Sequence, residues 1–327
     1  MRSAGKKRDH ANLTPPLVNL ASAAFSKYAS AMPARIFRRF VALTLIVTAL
    51  WSDETPVAAQ APSPTSIAVT FWNIQWFPGR RPNASRAEED RQTRSVHRDI
   101  VQLAPDVIAL EEVRDFEHAA LAIQPLRDFK VDVCSNFPPR EGQNQAQQIT
   151  IASRLPAMSA WAEAWKPGPA ITPPRGFAFA AYQLSPKQVL LVYALHLKSN
   201  RGEVHEDIRI REESMQQLRA HMKAMYGAYG KIGALTWIVG GDFNTAPDEP
   251  RFAGEKTIPG LLADGFNWVW QGIPLSSRIT MPADARYPAA AFDQIFFRGA
   301  TLSKAWVAPT SVQSSDHRAV NAVLNLR

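Results

Sequence analysis

The sequence predicts an α/β protein built from two packed β-sheets with helices on their outer faces. Two observations carry this. About ten short β-branched or aromatic runs are spread from Ile67 to Leu324, and only about three helical stretches separate them, too few for an alternating βαβ series around one parallel sheet. The 46% hydrophobic and 20% charged content of the 327 residues supplies enough apolar material for a sizeable core, with no repeat and no sign of a second domain.

Residues 1–59 read as a leader. The apolar run FVALTLIVTALW at 40–51 follows Arg35, Arg38 and Arg39 and precedes the small residues of Pro56–Ala61, the pattern of a secretory signal cut before Gln60. Twelve residues are too few to span a bilayer, so no membrane span is expected after signal removal; an uncleaved anchor is the alternative. Met32 would open a leader of ordinary length, which makes residues 1–31 a candidate start-site artefact. Residues 60–66 then form a flexible lead-in and 67–327 the working domain, expected to be secreted or periplasmic and monomeric, with no protein partner implied. The leader holds +5 of the formal charge of +8, so residues 60–327 keep only +3 and bulk charge does not argue for nucleic acid. Cys134, alone of its kind, excludes an intramolecular disulfide and a zinc-thiolate site, and its apolar run suggests an inert, buried thiol.

Along the domain, Ile67–Trp72 suits a strand. Ser85 followed by Glu88 is a capping box that opens a helix to about Ala104, and Pro105 stops it. A strand is expected at Asp106–Leu110 and a helix at Phe116–Leu126. Further strands are expected at Val131–Cys134, Ile149–Ser153, Phe177–Leu184 and Val189–Leu197, and the longest helix at Val204–Met225. Strands at Thr236–Val239, Phe266–Trp270, Phe292–Phe297, Ala305–Ala308 and Ala319–Leu324 complete the pattern.

Polar residues cluster at the ends of these apolar strands. Asn73 follows the first, Glu111 and Glu112 end DVIAL and precede Arg114 and Asp115, and His196 lies inside YALHLKSN. Gly240-Gly241-Asp242-Phe243-Asn244 follows TWIV, Asp293 opens FDQIFF, and Ser314-Ser315-Asp316-His317 precedes the last strand. Acids and imidazoles beside apolar strands are costly unless paired, hydrogen-bonded or bound to metal. Carboxylate and amide oxygens suit magnesium, manganese or calcium, and two histidines can move protons near neutral pH, a combination that fits metal-assisted phosphoester hydrolysis. Singly each has an ordinary explanation: a turn Asn, a solvated Glu111–Glu112 pair, a core histidine, a tight GGDFN turn.

FWNIQW, DVIALEEVRD, ALHLKS, GGDFN, FDQIFF and SSDHRAV, in this order, resemble the six motifs of the deoxyribonuclease-I-like endonuclease/exonuclease/phosphatase superfamily, from Ile67 to Leu326. The resemblance implies a four-layer α/β/β/α sandwich of two mixed sheets flanked by helices, with the site at one edge of the sheets. It implies Glu112 as principal metal ligand, helped by Asn73 and Asp316. Asp242 and Asn244 would orient the phosphate and the water, or hold a second metal. His317, paired with Asp293, would act as general base or stabilise the transition state, and His196 would protonate the leaving oxygen or bind the phosphate. Arg114 resembles a position that touches nucleic acid; an ion pair with Asp115 or Asp128 is its alternative. Where deoxyribonuclease I has a glutamate to pair with the first histidine, this chain has Gln147, with Glu141 upstream, so the partner of His196 is open.

The substrate expected is nucleic acid, DNA and perhaps RNA, with Arg114, Arg140, Arg154, Lys198, Arg201 and Arg278 as candidate backbone contacts, two or three of them real. An inositol-phosphate or sphingomyelin hydrolase of the same superfamily is the alternative; a lipid-cleaving enzyme would show an exposed aromatic hairpin, which Trp161 with Trp165 or Trp268 with Trp270 could provide, although core packing is the favoured reading of each pair. A non-catalytic binding protein is the remote one, disfavoured because all six motifs are intact.

Overall fold

Phe71 and Trp72 are neighbours in the first strand and enter different cores, because successive side chains of a strand face opposite sides of a sheet. That alternation organises the molecule. The computed structural model describes residues 64–139, 145–168, 172–285 and 287–327; the leader, Arg140 and Glu141 lie outside them. In chain order the elements are β1 (Ser66–Phe77), α1 (Arg86–Leu103), β2 (Val107–Val113), α2 (Phe116–Ile123), β3 (Lys130–Cys134), β4 (Gln148–Ser153), β5 (Ala157–Ala164), β6 (Gly176–Ser185) and β7 (Gln188–His196). There follow α3 (Val204–Tyr229), β8 (Ala234–Asp242), α4 (Thr257–Ala263), β9 (Asn267–Trp268), β10 (Asp293–Arg298), β11 (Ala300–Val307) and β12 (Val320–Leu326).

Two six-stranded sheets result, ordered β11-β12-β1-β2-β4-β3 and β5-β6-β7-β8-β10-β9. Each is mixed, with one central parallel pair, β1 with β2 and β7 with β8, among antiparallel neighbours. Ile67, Val69, Phe71 and Ile151 of the first sheet meet Ala180, Val192 and Ile238 of the second in the shared core. Val96, Ile100 and Leu103 of α1 cover the outer face of the first sheet against Trp72, Ile108 and Leu110. Leu218 and Met222 of α3, with Ile258 and Leu261 of α4, cover the outer face of the second. These are the four layers that the sequence predicts.

Local differences have local causes. The capping box forms as expected, Ser85 accepting from the Glu88 amide, and α1 ends with Ala104 in the left-handed region. β1 continues past Trp72 to Phe77, so Asn73 lies inside the strand rather than after it. β5 and α4 had no clear signal: β5 is an edge strand with alanine at four of its eight positions, and α4 is seven residues without a side-chain cap. The tryptophans do not form an exposed hairpin; Trp165 and Trp270 are buried, and Trp161 and Trp268 pack partly buried against the cores. Cys134 is free and half-buried rather than fully buried; burial pushes its thiol up to about 11, which keeps it inert. No helix among the described residues is long and apolar enough to cross a membrane.

Candidate active site

Strand register gathers the site. Asn73 pairs with Glu111 across β1 and β2, His196 with Asp242 across β7 and β8, and Asp293 with Asp242 across β10 and β8. The carboxyl ends of both central parallel pairs therefore deliver their polar residues to one edge of the sandwich. Gly241, at φ +129°, lets the strands close there, since a Cβ would lie 2.0 Å from the Leu195 carbonyl and 2.8 Å from Glu111 Oε1.

The two adjacent glutamates separate by conformation. A bulge between Glu111 and Val113 puts Glu112 at φ +62° and turns its carboxylate into the cleft. Glu112 Oε2 accepts from the Trp76 amide at 3.1 Å, and Oε1 from Asn73 Nδ2 at 3.3 Å. Glu111 goes the other way and is wholly buried, so the two are not a solvated pair. Burial first, then Asp293 and Asp242, push its carboxyl well above the usual range.

Asn73 joins the two sheets. Its Nδ2 also donates to Asp242 Oδ2 at 3.2 Å, while its Oδ1 accepts from the Gln75 amide at 3.0 Å. As placed, Asn73 brackets the carboxylates of Glu112 and Asp242 with its NH2 group. Asp242 Oδ1 accepts from the Asn244 amide at 2.9 Å, and Asn244, at φ +53°, donates from Nδ2 to the Leu197 carbonyl at 3.2 Å. Asp316 stands exposed at the rim, where Gln75 Nε2 donates to it at 2.9 Å.

His317 Nδ1 lies 2.8 Å from Asp293 Oδ2, and its Nε2 points to Asp242 Oδ2 at 3.9 Å. Burial alone would lower the imidazole pKa, but Asp293 and Asp242 hold it well above the ordinary value. Burial also pushes Asp242 up to about 7, with His317 opposing the rise and Asp293 adding to it. Asp242, Asp293 and His317 are the cluster among the described residues whose donor atoms converge closely enough for an ion. Asp293 gives Oδ2 to the imidazole and keeps Oδ1 buried without a hydrogen-bond partner, and Glu112, Asp242 and Asp316 supply the other carboxylates around the cleft. Such an all-oxygen set fits a hard divalent ion.

The partner question for His196 has a two-part answer. Its Nε2 faces Glu112 Oε1 at 3.7 Å and Asp242 Oδ2 at 3.6 Å. Gln147 reaches instead to Arg175, 3.2 Å from Nη1, and Arg175 grips the carbonyls of His196 and Leu197 at 3.0 and 2.8 Å. A cleft of about 150 Å³ opens above these groups, bordered by Gln75, Asn200, Arg201, Tyr287 and Phe292.

The candidate cations divide sharply. Arg114 pairs with Glu89 at 2.5 Å and bonds the Pro78 carbonyl, so its ion pair is with neither Asp115 nor Asp128. Arg154 is taken up by Asp106, Lys198 by Asp207 and Arg278 by Asp248. Of the five of these cations that are described, Arg201 alone borders the cleft, exposed, with no ion pair among the described residues.

Several supports escape a motif search. Gln92 donates from Nε2 to the carbonyls of Ile74 (2.7 Å), Gln75 (3.1 Å) and Ser314 (2.8 Å), and its Oε1 accepts from Gly79 and Arg80. Ser315 Oγ donates to the Asn73 carbonyl at 2.6 Å, and Trp72 Nε1 to the His317 carbonyl at 3.0 Å. Gln92 and Arg211 both sit in the apolar stripe of their helices, and that break in pattern was the available signal.

Comparison with known proteins agrees with this architecture. Among curated proteins none matches the chain significantly. Of solved structures, an endonuclease/exonuclease/phosphatase from Beutenbergia cavernae superposes with a TM-score of 0.59 at 17% identity, covering 80% of this chain and 72% of the other. Human Nocturnin, as a catalytic domain with bound sulfate anion, gives 0.58 at 16% identity, over 80% and 95%. TDP2 of D. rerio, complexed with single strand DNA product, gives 0.57 at 16% identity, over 80% and 100%. The family model "Endonuclease/Exonuclease/phosphatase family" matches residues 70–317. This span reaches from β1 through His317, so the chain belongs to the endonuclease/exonuclease/phosphatase family of phosphoric ester hydrolases.

Proposed function

We propose that the protein is an exported, divalent-metal-dependent phosphodiesterase that cleaves nucleic acid. The observation that carries the reading is the joining of Glu112, Asn73 and Asp242 by hydrogen bonds directly beside the Asp293–His317 pair. Glu112 and Asp242, with Asp316 at the rim, are the residues to hold magnesium, or manganese or calcium, and that ion would neutralise charge on the phosphoryl group. His317, kept protonated by Asp293, donates to a phosphoryl oxygen as charge builds there. Asn244 and Asp242 orient the phosphate and the attacking water, and His196 stands across the cleft to protonate the leaving oxygen. Arg201 supplies the one cleft-side cation among the described candidates that the sequence singles out, and Arg114 and Lys198 would have to leave Glu89 and Asp207 to reach substrate. The DNA product seen on the TDP2 relative favours nucleic acid over the small phosphoester alternative. The packed tryptophans weaken the lipid one. Export rests on residues 35–61 alone.

The test incubates the purified protein with supercoiled plasmid and with a labelled single-stranded oligonucleotide, in magnesium, manganese, calcium or EDTA, beside its His317→Ala variant. Metal-dependent cleavage missing from the variant is expected. Both substrates intact in every metal would discard the nuclease reading and direct the search to small phosphoesters.

A further inference from the structure

Helix α3 carries no catalytic residue, yet it grips two of the loops that do. Arg211, in its second turn, is completely buried, and its guanidinium is bonded on several sides. Nε and Nη2 each donate to one oxygen of Glu255 at 2.8 Å, while Nη1 donates to Asn200 Oδ1 at 2.8 Å and to the Lys198 carbonyl at 3.1 Å. Asn200 passes the connection on, its Nδ2 donating to the Asn244 carbonyl at 2.7 Å. Glu255 closes the circuit, accepting from Thr245 Oγ1 at 2.9 Å and Thr257 Oγ1 at 2.6 Å.

The loop after His196 and the loop after Asp242 are thus tied to one buried ion pair and to each other. A buried pair of this kind is a weak source of stability, since apolar residues of the same volume often serve the fold as well or better. What it supplies is geometry: a planar fork with fixed directions, which no apolar pair can reproduce. We propose that Arg211 is a positioning residue, which with Glu255 and Asn200 sets the distance between the His196 loop and the Asp242–Asn244 loop and so aligns the phosphate-orienting groups. The inference rests on the hydrolase reading for its catalytic consequence, and on the hydrogen bonds alone for its structural one.

The test replaces the whole pair, Arg211→Met with Glu255→Met, which removes both charges together and leaves neither stranded. Expected are a folded protein, kcat on bis(p-nitrophenyl) phosphate in magnesium reduced on the order of 10²-fold with KM near wild type, and faster amide hydrogen exchange at 198–202 and 243–246 in metal-free protein with β7 and β8 unchanged. A folded double variant with wild-type kcat and wild-type exchange overturns the proposal. If the double variant does not fold, Asn200→Ala decides, because it keeps the Arg211–Glu255 ion pair and removes the bridge through Asn200 from Arg211 to Asn244. Reduced kcat with faster exchange at Asn244 and Thr245 supports the latch; both unchanged overturns it. A wild-type protein inert toward the diester would instead count against the hydrolase reading, and the exchange measurement would still judge the latch.

Discussion

Asp293 and His317 are 2.8 Å apart although one opens β10 in the second sheet and the other precedes β12 in the first. The proton-handling pair therefore exists only when the two sheets are packed. His317→Ala should lower turnover at least ~10²-fold with the fold intact, the scale of acid–base contributions. Asp293→Asn should let burial win and bring the imidazole pKa down, which a histidine NMR titration reads directly. An unshifted titration would remove Asp293 as the cause.

Glu112→Gln should raise the magnesium needed for half-maximal rate roughly 10-fold or more. The wild-type site also links metal to pH. Asp242 titrates at about 7 against an ordinary 3.8, and His317 well above 6.5, so the folded state holds both protons more tightly than the unfolded. Their contribution is present at low pH and lost as pH rises, for Asp242 through about 7 and for His317 through its raised value. Metal-free protein should thus lose Tm as pH rises from 3.8 to about 7 through Asp242 and further above 6.5 through His317, and magnesium should restore Tm most at the higher pH. A magnesium effect independent of pH in thermal melts counts against this linkage.

Arg201→Gln should weaken DNA binding and reduce the salt slope of log K by about 1. Arg154→Gln, whose partner is Asp106, should leave the slope unchanged. Equal effects of the two in a salt titration would mean that the cleft has no privileged cation.

Gln92→Ala strands the Ile74 and Ser314 carbonyls and the Gly79 amide in the interior. A loss of about 3 kcal/mol is expected, at the scale of leaving buried polar groups unpaired. Urea unfolding measures it, and a loss below about 1 kcal/mol would mean that water replaces the amide.

His221 lies among the rings of Trp161, Phe177, Phe179 and Tyr193, with Nδ1 3.0 Å from the Tyr193 hydroxyl. Burial lowers its pKa from 6.5, with Glu163 opposing and Lys166 assisting. The unfolded chain takes the proton first, so the stability from neutral His221 is present above 6.5 and lost as pH falls from there through the lowered folded value. His221→Gln keeps an acceptor for Tyr193 and should flatten that acid limb in thermal melts; an unchanged limb would assign it to other groups.

Much of this was legible in the chain itself. The short β-branched and aromatic runs, the few helical stretches between them and the Ser85–Glu88 box are local properties, and they point to two sheets with outer helices. Asn73, Glu112, His196, Asp242, Asp293 and His317 were legible because each sits in a short motif beside an apolar run. Their partners were not. Glu89 for Arg114, Asp207 for Lys198, and Glu255 for Arg211, 44 residues away, are matters of which surfaces the packed layers bring together. Glu111 and Glu112 make the same point within one dipeptide: sequence supplies two equivalent acids, and only a bulge at φ +62° decides which is buried and which enters the cleft. Periodicity and motif spacing record what a residue does with its neighbours along the chain. Burial, ion pairing and pKa depend on distances through space, and those come into being only when the sheets close on each other.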